Sequence, residues 1–431
     1  MKKYIWLVVV AMYVLAGCKQ VSNDDNYFVK VKNTAFVIND QPYQYVGANY
    51  WQGMNLGAPR SGDRERLIKE LDQLQAMGIK NLRVLAASEA DSAGRYCIHP
   101  AVQQAPGVYN EEVLEGLDFF LNEMSKRDMK AVMVLGNFWT WSGGFPQYLN
   151  WAGAGDIPYP QDEEHSWTEF VDYSKQFYTN AKAQEMMNQY IEFIVSRTNT
   201  VNGINYTDDP TIMAWQLSNE PRGYDQVEVY QQWISKTARL IKQLDSNHLV
   251  SIGSEGNATG PWDGINVLED NRVEDVDYIT MHIWAQNWGW YTPGQPDSVY
   301  QEAIKKTEAY WDAHVAAAKE LNKPLVLEEF GIARDGASFD VKASTTSRDQ
   351  FYKYLLGKVE TSIESEDVVC GVNFWSYTGS GRPPRPGEYW QLGDPFIGDP
   401  PHELQGWYGV YDTDTTTITI ITDVATTVNK L

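Results

Sequence analysis

A chain of 431 residues has room for two or three ordinary domains, or for one large α/β barrel carrying insertions. Hydrophobic residues make up 43 % and charged residues 21 %, which excludes a disordered chain. The formal net charge of −22 repels phosphate backbones and disfavours an anionic polymer, so a neutral ligand is the natural partner; 16 Trp and 26 Tyr offer flat faces on which sugar rings stack.

The chain opens with Lys2 and Lys3 and an apolar run, Tyr4–Ala16, that is too short to span a bilayer as a helix. Leu15-Ala16-Gly17-Cys18 follows and resembles the lipobox of a bacterial lipoprotein. The resemblance implies that residues 1–17 are a cleaved signal peptide and that Cys18 is lipidated. Residues 18–26 then form a tether, and residues 27–431 are the folded part it anchors to the outer membrane, on its periplasmic or cell-surface face. Lys19 after the cysteine fits outer-membrane sorting. The remaining cysteines are Cys97 and Cys370. They are expected at opposite ends of the fold as free thiols. No Cys/His spacing suggests zinc, and Glu163-Glu164-His165 reads as a solvated loop.

Tyr27–Gln44 reads as a β-hairpin. Eight short apolar runs follow: Tyr45–Trp51, Asn81–Ala87, Lys130–Asn137, Ile212–Glu220, Leu249–Glu255, Tyr278–Trp284, Pro324–Gly331 and Gly371–Gly379. Near-continuous apolar runs are what strands buried on both faces require. Helical patterns separate most of them, over 61–78, 110–129, 184–198, 226–244, 298–321 and 347–363, opened by polar caps and carrying apolar stripes such as Leu67, Leu71 and Leu74. Eight strands alternating with helices predict a single (β/α)8 barrel, its bottom closed by the hairpin. The Thr-rich tail, 406–431, is expected to end in a helix or a strand.

Chemistry in such barrels sits at the carboxyl ends of the strands. That rule selects Arg83, Asn219 with Glu220, His282 with Trp284, Glu328 with Glu329, and Trp375. Carboxylates atop strands four and seven would face each other across the mouth. Such a pair is the minimum apparatus for hydrolysing a glycosidic bond. Successive strand residues point to opposite faces, so Glu329 is taken as the mouth-facing member and Glu328 as facing the helices.

Ser218-Asn219-Glu220-Pro221-Arg222 and Leu327-Glu328-Glu329-Phe330-Gly331, with Arg83, His282 and Trp375, resemble glycoside hydrolase family 5. Gly47-Ala48-Asn49-Tyr50-Trp51, Asn137-Phe138-Trp139-Thr140-Trp141-Ser142-Gly143-Gly144 and His282-Ile283-Trp284-Ala285-Gln286-Asn287-Trp288-Gly289 narrow the likeness to its endo-β-1,4-mannanases. The resemblance implies that Glu220 is the acid/base and Glu329 the nucleophile. It makes Arg83 the cation that keeps Glu329 ionised, and Asn219 a partner of the sugar 2-OH. His282 would contact the nucleophile's surroundings or the sugar, and Trp375 would floor the site. Trp51, Asn137, Trp139 and Arg222 would support or line it. Trp284 stands where much of the family has Tyr, and Asn137 where many cellulases of the family have His. An indole N–H can replace a phenol as donor but not as acceptor. Glu255 is left outside the catalytic set.

The implied activity is retaining endo-hydrolysis of β-1,4-mannosidic bonds in mannan, glucomannan or galactomannan. It needs no metal or organic cofactor, and the protein is expected to act as a monomer. The rivals are another β-glycanase such as a β-1,4-glucanase, an exo-acting β-mannosidase or mannobiohydrolase, and, most distantly, a non-catalytic glycan-binding lipoprotein.

Overall fold

The computed structural model describes residues 27–91, 94–257 and 263–431. The signal peptide, Cys18 and the tether lie outside the described residues. Eight parallel strands form the predicted barrel: β1 (Tyr45–Asn49), β2 (Asn81–Leu85), β3 (Lys130–Val134), β4 (Ile212–Gln216), β5 (Leu249–Ser251), β6 (Ile279–Ile283), β7 (Leu325–Phe330) and β8 (Val369–Phe374). Every residue of these strands except Lys130 is buried, which is the packing that near-continuous apolar runs require. The strands pair in the order β5-β4-β3-β2-β1-β8-β7-β6. The seam between β5 and β6 is bridged by two backbone bonds, Asp277 N to Val250 O at 2.8 Å and His282 N to Glu255 O at 2.9 Å.

The outer layer consists of α1 (Arg64–Ala76), α2 (Glu111–Ser125), α3 (Ala181–Val195), α4 (Val227–Leu244), the short α5 (Val267–Asp270), α6 (Asp297–Leu321), α7 (Thr346–Glu364) and α8 (Thr415–Val428). Side-chain caps set several starts. Asp63 accepts from Arg66 N, Asn110 from Glu112 N and Asn180 from Ala183 N, satisfying N–H groups that a first turn leaves free. The tail 406–431 ends in α8, a helix.

The N-terminal segment forms a small antiparallel sheet of three strands, Lys30–Lys32, Ala35–Ile38 and Gln41–Pro42, rather than a simple hairpin. Asn39 and Asp40 both have positive φ, at 53° and 59°, a backbone that short polar side chains tolerate in a tight hairpin turn. This sheet does close the lower end of the barrel. Val29 and Phe36 pack with Tyr45, Val132, Met213, Tyr278, Val326 and Cys370, and Phe36 meets Tyr278 edge to face at 5.3 Å. Cys370 therefore sits at the bottom and Cys97 in an upper loop; both are buried and free.

Two long upper connections shape the mouth. Between β3 and α3 the chain forms two helices, Gly144–Ala152 and Trp167–Ser174. Between β8 and α8 it runs through residues 380–409, flanked by the paired short strands Tyr377–Gly379 and Val410–Tyr411.

Candidate active site

The barrel gathers Arg83, Glu220, His282 and Glu329 at its upper end, all buried. Arg83 comes from inside β2, His282 from β6 and Glu329 from β7, while Glu220 follows β4. Glu220 has a positive φ of 48°, a strained backbone for a residue with a Cβ, held by its N–H bond to Gly253 O at 2.9 Å. The Nδ1 of His282 lies 2.7 Å from Glu220 Oε1 and 3.4 Å from Glu329 Oε2. The two carboxylates and this nitrogen all lie within 4.8 Å of one another.

Glu328 corrects the alternation rule. The pairing of β6 with β7 slips by one residue: Met281 stands opposite Leu327 and His282 opposite Glu329. The extra residue is Glu328. A bulge of this kind breaks the alternation of faces, so adjacent side chains can share one side. Glu328 points into the barrel beneath Glu329 and not towards the helices. Gln216 Nε2 donates to both its oxygens at 2.9 and 2.8 Å, and Arg83 Nε lies 3.4 Å away.

Hydrogen bonds fix each reacting group. Arg83 Nη1 contacts Glu329 Oε1 directly, and Trp284 Nε1 donates to Glu329 Oε2 at 3.2 Å, so indole supplies the donor in this fold. Arg83 Nη2 also donates to Asn219 Oδ1 at 2.7 Å. Asn137 sits behind Asn219, its Oδ1 accepting from Asn219 Nδ2 at 3.2 Å and from Trp139 N at 3.1 Å. Trp139 does more than line the cleft: its Nε1 donates to Glu220 Oε2 at 2.7 Å. Glu89 holds the loop that carries Trp139. Its Oε2 accepts from Gly144 N at 2.9 Å, and a Cβ on Gly143, whose φ is 89°, would run into the Glu89 carbonyl.

These contacts set the protons. Burial pushes the Glu220 carboxyl up, but the hydrogen bond and charge of His282, the Arg222 charge and the Trp139 N–H outweigh it and bring it to about 2. Burial pushes His282 down, but the Glu329 charge and its bonds to Glu220 and Glu328 raise it to about 9. Glu220 and His282 thus share one proton across a 2.7 Å contact. Burial lifts the Glu329 carboxyl, with His282 and Arg83 opposing it, so its anion is more basic than an ordinary carboxylate while a guanidinium stays in contact. Glu220, His282 and Glu329 form the one potential metal-ligand group found among the described residues. Arg83 on Glu329 and the shared proton on His282 mark it as charge-paired machinery.

The cleft above these groups has a volume of about 1110 Å³ and is lined by Trp139, Trp141, Trp284, Trp288 and Trp375 among others. Arg222 lies on the Glu220 side, with its guanidinium 5.1 Å from the Trp139 ring. It contacts Glu255, which also accepts from Trp288 Nε1 at 2.7 Å. Trp51 does not line the cleft. It is buried behind Trp141, with Nε1 donating to Gly398 O at 2.7 Å, and supports the upper loop rather than the ligand.

Sequence reasoning missed His402, Glu403, Tyr389 and Trp407, which line the cleft from the 380–409 connection. Glu403 Oε2 is buried without a hydrogen-bond partner, and burial, then the charges of Asp399, Glu329 and Glu220, push its carboxyl far up. His402 stacks on Trp141 and burial holds it neutral. No strand immediately precedes these residues, so the rule that selects strand ends passes over them. The only signal was the density of Gly, Pro and aromatics there.

The family model described as GH family 5 beta-mannosidase-like matches residues 26–431. Among curated proteins, the mannan endo-1,4-beta-mannosidase 4 of Solanum lycopersicum is 29 % identical over 370 residues, covering 83 % of this chain and 85 % of its own length. A glycoside hydrolase family 5 mannosidase from Rhizomucor miehei superposes with a TM-score of 0.86 at 38 % identity, over 94 % of this chain and 98 % of that one. The endo-beta-1,4-mannanase of Thermotoga petrophila shares the fold, with a TM-score of 0.68 at 23 % identity, over 91 % and 78 % of the two chains. The geometry and these likenesses agree: the chain is a glycosidase of the mannosidase branch of glycoside hydrolase family 5.

Proposed function

We propose that the protein hydrolyses β-1,4-mannosides with retention, and that it attacks the non-reducing end of the chain rather than the internal bonds expected from sequence. Glu329 attacks the anomeric carbon as Glu220 passes the proton held by His282 across their 2.7 Å contact to the departing oxygen. A mannosyl-enzyme ester forms on Glu329. Neutralising Glu329 removes a negative charge beside His282. Glu220 then takes a proton from water as the water attacks the ester, which restores configuration by a second inversion. The approach of the two carboxylates to within 4.8 Å supports the retaining geometry.

The observation that carries chain-end attack is the set of ties by which the 380–409 connection reaches across to neighbouring upper loops, which we read as closing one end of the cleft. Gln161 Nε2 donates to His402 O at 3.3 Å, Trp51 reaches Gly398, and Tyr389 packs edge to face on Tyr96 at 5.2 Å. Those ties join the connections after β1, β2 and β3 to the 380–409 connection that follows β8. We read the other end as open: on the side of Glu220 and Arg222 the wall includes Trp167, 52 % exposed, and Asp225, whose side chain is 73 % exposed. A leaving group protonated by Glu220 departs towards that open end, so the blocked end receives the terminal sugar. Glu403, a cleft residue whose Oε2 has no hydrogen-bond partner, would take one of its hydroxyls. A structure of the Rhizomucor miehei protein in complex with mannosyl-fructose is in keeping with a short mannoside ligand.

Internal cleavage is the second reading, supported by the likeness to plant endo-mannosidases. The test uses the soluble form from Lys19 on unbranched mannan and carboxymethyl cellulose, with viscosity and reducing ends followed together. Chain-end attack predicts free mannose with little loss of viscosity; an early viscosity collapse with mixed oligosaccharides sinks it. Hydrolysis of cellulose but not of mannan sinks the mannoside assignment itself. The N-terminal lipobox supports export and anchoring through Cys18, and loss of radiolabelled palmitate incorporation in Cys18→Ala checks that point.

A further inference from the structure

Asp399 is 1 % exposed and is not among the residues that line the cleft. Its two carboxylate oxygens nevertheless accept three backbone N–H groups from the far side of the same turn. Oδ1 takes Tyr408 N at 2.7 Å and Gly409 N at 3.2 Å, and Oδ2 takes Gly406 N at 3.0 Å. Gln405 completes the knot from within: its Nε2 lies 3.1, 3.0 and 3.2 Å from the carbonyls of Asp399, Pro400 and Glu403. Between the two ends of this knot the chain puts forward only a few residues, and these include His402, Glu403 and Leu404 of the cleft wall. Charge-assisted bonds to a buried carboxylate are about twice as strong as neutral ones. Three of them on one side chain tie the two ends of the turn together within an otherwise irregular connection.

We propose that Asp399 is a positioning residue for sugar binding: by clamping the 399–409 turn it fixes Glu403 and His402 against the terminal ring. The inference rests on the reading of this cleft as a mannoside site. Asp399 itself touches no substrate. Its effect reaches the reaction through Glu403, and its loss weakens substrate binding while leaving the two catalytic carboxylates in place. Gly406, with a φ of 97°, supplies the left-handed turn the knot needs.

The test is a double-mutant cycle on the intact chain with 4-nitrophenyl β-D-mannopyranoside. Asp399→Asn, Glu403→Gln and the double variant are compared with the wild type for kcat and KM, with near-ultraviolet circular dichroism confirming a folded core. Losing a contact made equally in the bound substrate and the transition state raises KM and leaves kcat little changed, and one hydrogen bond to a charged group is worth about 10-fold or more, so a rise of at least about 10-fold in KM is expected for Asp399→Asn. The double variant should be no worse than the poorer single, because both act through one contact. A folded Asp399→Asn with wild-type KM overturns the proposal, as do single effects that multiply in the double. Should Asp399→Asn not fold, Gln405→Leu releases the same turn from its other anchor and is judged by the same two criteria. Product analysis of the wild type on mannohexaose separates the two readings: chain-end attack releases mannose, and internal cuts release mannobiose and mannotriose. Internal cuts there would sink chain-end attack, while the KM comparison still decides the clamp.

Discussion

Glu220 and His282 hold one proton between them, and the pH profile should report it. Below about pH 9 the pair keeps that proton, because His282 is raised to about 9; above it the proton is lost and no acid remains for the leaving group. We expect kcat/KM to fall on the alkaline side near that value, and on the acid side as Glu329, lifted by burial, becomes protonated. In His282→Asn the imidazolium no longer holds Glu220 down, and Glu220 titrates as a buried carboxyl. The alkaline limb should then move to lower pH; a limb that stays put would refute the shared proton. The acid role is separable from this. Glu220→Ala should lower kcat on mannooligosaccharides by about 10²–10⁴-fold yet spare glycosylation by a dinitrophenyl mannoside, whose leaving group needs no proton. Burst kinetics followed by azide rescue would mark Glu220 as the acid/base, and the absence of both would remove it from that role.

At the scale of elements, what was legible followed from simple periodicities. Buried strands must be apolar on both faces, so all eight barrel strands stood out as apolar runs, and their polar ends pointed to Arg83, Glu220, His282 and Glu329. Two things did not stand out, for different reasons. The β7 bulge depends on how β6 pairs with β7, which no single strand carries, and so Glu328 was sent to the wrong face by the rule of alternation. The 380–409 connection has almost no regular structure, and its shape comes from side chains such as Asp399 binding backbone N–H groups. Glu328 gives the bulge a measurable signature. It is buried between Gln216 and Arg83, and stripping its charge leaves part of a buried guanidinium uncompensated. Glu328→Gln should cost about 3 kcal/mol of stability, read as a lower denaturant midpoint at unchanged slope. A variant as stable as the wild type would show that the Arg83–Glu329 contact alone satisfies this layer.

Across the whole molecule, the two ends of the barrel do different work. The upper end spends its buried surface on charge: Arg83, Glu328, Glu329, His282 and Glu220 lie within a few contacts of one another. Such a cluster orders the chemistry but is weak evidence for net stability, since taking charges out of water offsets most of their attraction. The lower end carries less of it, chiefly the buried His248–Asp245 pair just before β5. There the N-terminal sheet drives Phe36 and Val29 between Tyr45, Tyr278, Met213 and Val326, an apolar plug that seals the strands where no substrate reaches. Stability and catalysis should therefore separate by mutation. Phe36 is 1 % exposed, so Phe36→Ala removes a full aromatic ring and leaves a cavity, at a cost of about 3–5 kcal/mol. The Arg83–Glu329 and His282–Glu220 contacts sit one barrel length away and are set by strands that remain paired. Calorimetry should show a lower unfolding temperature for Phe36→Ala, while kcat and KM, measured well below that temperature, stay at wild-type values. A change in kcat at full folding would mean that the plug transmits strain through the strands to Glu329, and that the barrel behaves mechanically as one piece.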